Sequence, residues 1–144
     1  MNILKRIVLL TVLAVIITGL ISGCAEAEPE SVINPLGIND IRFDPLSFTG
    51  ELTLTGISVG TYQPDPSIFF LMDTEELLAC LNMQCGAFQL PVVYTGSDPV
   101  PELADEVVIT GNWVKYEENG QEVDIFGATS IDVKRNVMDI LMGG

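Results

Sequence analysis

The sequence predicts a mainly β domain in which five strands close into a small barrel, with one short helix between strands and another at the C-terminal end. Three observations predict it: apolar-polar alternation over residues 41–59 and 106–116, glycines inside those stretches, and an Asn119-Gly120 pair between two late extended segments. Alternation with a period of two marks a half-buried strand. A glycine within one marks a bulge or corner, and Asn-Gly is a strong hairpin signal.

In residues 41–59, Phe48, Leu52, Leu54, Ile57 and Val59 alternate with polar neighbours on either side of a phase shift, and Gly50 and Gly56 suit bends. Residues 60–66, with Pro64-Asp65-Pro66, read as a loop. Residues 67–72 are nearly continuous in apolar side chains (Ile68, Phe69, Phe70, Leu71, Met72) and are expected in the core. Asp73 then stands where a helix N-cap belongs, with Glu76 at the third helical position, so a helix is expected over residues 74–83.

A third strand is expected over residues 87–95, with Pro91 demoting part of it to an edge or bulge. Residues 96–101 read as a loop entering a helical turn at 102–105. The fourth strand, 106–116, directs Val107, Ile109 and Trp113 inward with a bend at Gly111. The fifth, 122–133, offers Val123, Ile125, Ala128 and Ile131 to the core, and residues 136–142 read as a short helix or frayed tail.

The N-terminal segment has a different character. Lys5 and Arg6 precede a run, residues 7–17, that is apolar apart from Thr11, and then small and turn-forming residues, which is the three-part layout of a secretory signal. Ile21-Ser22-Gly23-Cys24 resembles the lipobox of bacterial and some archaeal lipoproteins, in which a small residue precedes the Cys that takes a diacylglyceryl group. That resemblance implies a signal peptide over residues 1–23, lipidation of Cys24, and a protein held on the extracytoplasmic side of a cell membrane. A permanent anchor and an ordinary signal cut near Ala25 or Ala27 are the competing readings. The apolar stretch is short of the roughly 20 residues a bilayer core requires. Residues 24–37 read as an acidic tether, 38–135 as the domain and 136–144 as its tail.

Composition narrows the function. Lys5 and Arg6 leave with the leader, which reduces the basic side chains from 6 to 4 against 20 acidic ones, a net charge near −16. Phosphate binding depends on Lys and Arg releasing counterions, so nucleic acid is excluded as a partner. The chain has no His, which removes Ser-His-Asp and Cys-His catalysis and His-ligated zinc or haem. No catalytic motif is found.

The runs Leu52-Thr53-Leu54-Thr55-Gly56, Phe69-Phe70-Leu71-Met72-Asp73, Leu90-Pro91-Val92-Val93-Tyr94-Thr95-Gly96 and Glu106-Val107-Val108-Ile109-Thr110-Gly111 resemble an OB-fold barrel. More narrowly, the chain is similar over residues 41–135 to the periplasmic haem-chaperone barrels of cytochrome c maturation. Those attach haem through a His, or in some archaeal forms a Cys, followed at four residues by Tyr. Neither Cys80 nor Cys85 has Tyr at that spacing, so the resemblance implies the barrel and not haem carriage.

With Cys24 lipidated, Cys80 and Cys85 remain, and outside the cytoplasm an isolated pair favours a disulfide. Closing so short a loop contributes ~2 kcal/mol on the chain-entropy model. The same two thiolates with Met83 or Met72 would form a soft set suited to Cu(I). A hard cation could gather Asp65, Asp73, Asp98, Glu102, Asp105 and Glu106, although capping and solvation explain several of these. Trp113, Tyr116, Tyr62 and Tyr94 offer either a binding surface or core packing. The leading expectation is a non-enzymatic, lipid-anchored OB module that needs no cofactor and binds a small ligand or assists an envelope protein complex. The alternative is a soft-metal (copper) chaperone or thiol-redox lipoprotein acting through Cys80 and Cys85.

Overall fold

The first ordered element that the alternation pattern misreads is a helix. In the computed structural model, which describes residues 34–82, 86 and 88–143, a two-residue strand β1 (Leu36–Gly37) runs into a single helical turn α1 (Ile38–Ile41). Asp40 Oδ2 accepts the Gly37 N–H at 2.8 Å, satisfying an orphan donor at the helix start. Ile38 and Ile41, three apart on one face, are fully buried. Pro45 then fixes its own φ and opens a 3-10 turn, Pro45–Ser47. Residues 41–51 are therefore not strand, contrary to expectation.

β2 (Leu52–Tyr62) and β3 (Asp65–Met72) form an antiparallel pair that reaches Tyr62↔Asp65 through register shifts between Ser58 and Gly60 and between Thr61 and Tyr62. The loop expected over residues 60–66 shrinks to Gln63-Pro64. Gly56 holds regular register with Val107 and makes no bulge. Its hydrogen is needed because a Cβ there would come within 2.8 Å of the Met72 carbonyl and 2.9 Å of Ile38. The bend expected at Gly111 does occur, as a register shift between Thr110 and Gly111.

Asp73 caps α2 (Thr74–Cys80) as expected, its side chain accepting the N–H groups of Glu75 and Glu76. The helix ends earlier than residue 83 because Leu81 adopts a left-handed conformation, φ 54°. β4 (Leu90–Tyr94) follows, and then β5 (Asp105–Glu118). Residues 102–105 form a turn and not a helix: Ala104 has φ 69° and Asp105 Oδ2 takes the Glu102 N–H. β5 turns at Asn119 (φ 51°) and Gly120 (φ 77°) into β6 (Gln121–Asn136). These positive angles are what a tight primed hairpin turn demands. α3 (Met138–Leu141) closes the described chain.

The protein is mainly β, with a six-stranded mixed sheet and three short helices. Strand order is β1-β2-β3-β4-β6-β5, and β5 also pairs with β2, so the ladders form a ring through five strands. β4–β6 and β1–β2 are parallel; the other pairs are antiparallel. β1 adds the sixth strand, too short to read from alternation.

Leu54, Phe69, Leu71, Leu90, Val92, Val107, Ile109 and Phe126 face the interior of the ring together with Ile38 and Ile41 of α1. Burying each such side chain contributes about 1.5–3 kcal/mol. Ile57, Met72, Leu77, Ala104 and Val137 form a second cluster under α2. Trp113, expected inside, is only partly buried and meets Phe126 edge-on, with centroids 5.5 Å apart at 83°. Val123, expected in the core, is 38% exposed. The chain divides into two units, Met1–Val32 and Ile33–Gly144, and everything described above belongs to the second.

Candidate functional site

Strand β3 is apolar on both faces. Phe69 and Leu71 enter the core, whereas Ile68 and Phe70, one residue out of phase, face the other way into a cleft of about 350 Å³. Pro91 of β4, together with Val123 and Ile125 of β6, completes the apolar floor. Tyr62, Tyr116, Glu118 and Asp124 supply the polar wall. The cleft lies beside the β2–β3 turn and the β5–β6 hairpin, and it opens where β6 parts from β4: those two strands pair only from Phe126 to Ala128.

The two tyrosines are fixed by carboxylates. Tyr62 Oη donates to Glu118 Oε1 at 3.0 Å, and Tyr116 Oη donates to Asp65 Oδ2 at 2.8 Å. Asp65 is itself held by Ser67, whose N–H and hydroxyl both donate to Oδ1 at 3.1 and 2.6 Å. The Ser67 hydroxyl, then the Tyr116 phenol, then the Ser67 N–H hold the Asp65 carboxyl below its ordinary range. The bond to Asp65 pushes the Tyr116 phenol up, with burial and the charge of Asp65 adding to it, and Glu118 does the same to Tyr62. Lys115 beside the cleft binds Asp124 at 2.8 Å and approaches Glu122 at 3.8 Å. The hydrogen bond to Asp124 keeps its ammonium charged to higher pH than usual.

A second hollow, of about 500 Å³, is lined by Asn39, Asp40, Asp73, Thr74, Glu75 and Glu76. Its carboxylates are engaged locally: Asp40 holds Gly37, and Asp73 holds Asn39, Glu75 and Glu76.

The acidic residues considered for a hard cation do not converge. Asp98 accepts from Tyr94 Oη, Asp105 from Glu102 and Asn136, and Glu106 from Arg135. Among the described residues no group of three or more His, Cys, Asp or Glu is placed to hold a metal. Met72, one possible thioether ligand, is fully buried in the second core cluster. Cys80 ends α2 and is not a free thiol. Cys24, Met83 and Cys85 lie outside the described residues, so the lipidation, the Cys80–Cys85 bond and the soft-metal set are not placed. Among the described residues no helix is long and apolar enough to cross a membrane.

Of the four aromatic residues considered for a binding surface, Tyr62 and Tyr116 meet at the cleft. Trp113 packs on Phe126, and Tyr94 is buried with its hydroxyl on Asp98. Glu118, Asp124, Ile68 and Phe70 were not expected at a site. The doubled apolar face of residues 67–72 was the available signal, because a strand with solvent on one side should alternate. Searches against protein-family models, curated proteins and solved structures find no match to this chain.

Proposed function

We propose that this protein is a lipoprotein anchored through Cys24 on the extracytoplasmic side of a membrane, and that its domain is a non-enzymatic OB-type binding module whose ligand sits in the Tyr62–Tyr116 cleft. Taking the ring strands in chain order, the pairing runs first-second-third-fifth-fourth-first with the third and fifth parallel. That order supports a five-stranded OB-like barrel distantly similar to the exported haem-chaperone type.

The observation that carries the reading is the position of the cleft. It spans the outer face of the second and third ring strands, flanked by the first-second and fourth-fifth connections, which is where OB barrels take their ligands. An apolar floor with a few convergent polar groups is also the usual make-up of a binding site. In this reading Cys80 and Cys85 form a disulfide that pins the end of α2.

Three measurements test it. Mass spectrometry of protein from native membranes should recover an N-terminal diacylglyceryl-Cys24; an intact Met1 or an unmodified Cys24 thiol overturns the anchor. Nitrogen-15 spectra of the full chain in detergent, recorded against a ligand library, should move the amides of Ile68, Phe70 and Ile125 first, and responses confined to other surfaces overturn the cleft. Thiol titration without reductant should find neither Cys80 nor Cys85 free, whereas two reactive thiols that bind Cu(I) would favour the soft-metal alternative.

A further inference from the structure

The hydrogen-bonding inventory of the cleft is one-sided. The side-chain protons of its wall are already committed, Tyr62 to Glu118 and Tyr116 to Asp65, and the neighbouring Lys115 is tied to Asp124. Each carboxylate has about four lone-pair sites and each phenol oxygen retains acceptor capacity. What the cleft has left to offer a ligand is therefore acceptors, together with the aromatic rings of Tyr62, Phe70 and Tyr116. An occupant must bring donors, and positive charge is favoured twice, by the carboxylates and by the negative ring faces. The net charge of −14 over the whole chain adds a field of the same sign.

A second feature lies alongside. β6 pairs with β5 along its whole length but meets β4 only from Phe126 to Ala128, so among the described residues its other edge has no strand partner from Gln121 to Ile125. Pro91, on the facing strand, has no N–H to offer. Val123, Asp124 and Ile125 of that edge line the cleft. An extended chain added to a free strand edge takes its affinity from main-chain hydrogen bonds and its specificity from alternate side chains entering pockets.

We infer that the cleft receives a basic side chain, arginine or lysine, carried on an extended segment of a partner polypeptide that lies along the free edge of β6 between Gln121 and Ile125. The inference rests on the cleft being the binding face, and it names the occupant as a cationic peptide, where the fold alone would suggest an oligosaccharide. The cation sits against the Tyr62 and Tyr116 rings with Glu118 as its counter-ion and with Asp124 shared with Lys115.

The test uses the full chain in detergent at near-physiological salt, titrated with a short capped peptide alternating valine and arginine, its citrulline counterpart, and a neutral β-linked glucose oligomer. Saturable binding of the arginine peptide is expected, weakened roughly tenfold by Glu118→Gln or by Tyr62→Ala. Glu75→Gln, which removes the same charge at the second hollow, should change it less than about twofold because salt screens distant charges. Equal losses at Glu118 and Glu75, or equal binding of the citrulline peptide, overturn the inference. Binding of the glucose oligomer in place of the arginine peptide, with shifts at Phe70 and Ile125, overturns the cationic occupant and keeps the cleft. Shifts at the cleft with none of these probes remove both.

Discussion

Asp73 Oδ2 accepts the backbone N–H of Asn39 at 3.0 Å across 34 positions of chain, while Oδ1 of the same carboxylate takes the N–H groups of Glu75 and Glu76 at 3.0 and 3.2 Å. One side chain thus serves the starts of two helices, α1 before the ring strands and α2 among them. Both starts carry amides with no partner inside their own helix.

Asp73→Ala should therefore cost more than an ordinary cap, about 2–3 kcal/mol, because a long-range hydrogen bond is lost with the cap. Asp73→Asn keeps acceptor capacity on one oxygen and should cost less than half as much. Urea denaturation read by far-ultraviolet circular dichroism measures both. Equal losses for the two variants would mean that the one acceptor oxygen retained by Asn restores nothing.

Two glycines separate crowding from backbone strain. At Gly56 a Cβ would meet the Met72 carbonyl at 2.8 Å and Ile38 at 2.9 Å, whereas at Gly120, with φ 77°, nothing lies within 4 Å. Gly120→Ala should cost about 1–2 kcal/mol through its left-handed backbone, and Gly120→Asn less, since Asn tolerates that region. Gly56→Ala should cost about 2–3 kcal/mol through overpacking, with Asn there worse still. The diagnostic is the reversed order of the Ala and Asn variants at the two sites, read from denaturation midpoints.

What the sequence makes legible follows from range. The Asp73 cap, the Asn119-Gly120 hairpin and the bend at Gly111 are decided by residues close in the chain, and all three are present. Residues 41–51 misled because Phe48 and Leu52 fall in a two-residue period that Pro45 and the Asp40 cap override. The cleft was not legible, since Tyr62 and Glu118 lie 56 positions apart and meet only when β5 closes onto β2. The strand phase of Trp113 points it inward, and its indole Nε1 is buried with no hydrogen-bond partner in the packing against Phe126.

That indole makes a further prediction. Trp113→Phe keeps an aromatic edge against Phe126 and removes a donor that is buried unmatched, so its cost should stay near or below 1 kcal/mol. Phe126→Ala empties a fully buried site and should cost about 3–5 kcal/mol. A large loss in Trp113→Phe, measured by thermal unfolding, would assign the indole N–H a partner such as a buried water.

The cleft's hydrogen bonds also fix how stability depends on pH. Asp65 is held below the ordinary carboxyl value by Ser67 and Tyr116, so its stabilisation is fully present above the unfolded value of about 3.9 and is lost as pH falls through the lower folded value. Tyr116 is the mirror case. Its value is raised, so its contribution is complete below the unfolded value of about 10 and disappears as pH rises through the higher folded one. The melting-temperature gap between the native protein and Asp65→Asn should stay constant from about pH 5 to 7 and close in stronger acid. In alkali, the phenolate absorbance of all three tyrosines should rise later than for free tyrosine, since Tyr62, Tyr94 and Tyr116 are all shifted upward. Asp65→Asn should bring one of the three partway back, because burial and then the charge of Glu118 still act on Tyr116 after Asp65 has lost its charge. An alkaline titration that Asp65→Asn leaves unmoved would mean that the Tyr116–Asp65 bond does not form in solution, and the acid-side gap should then narrow to what the two Ser67 bonds support.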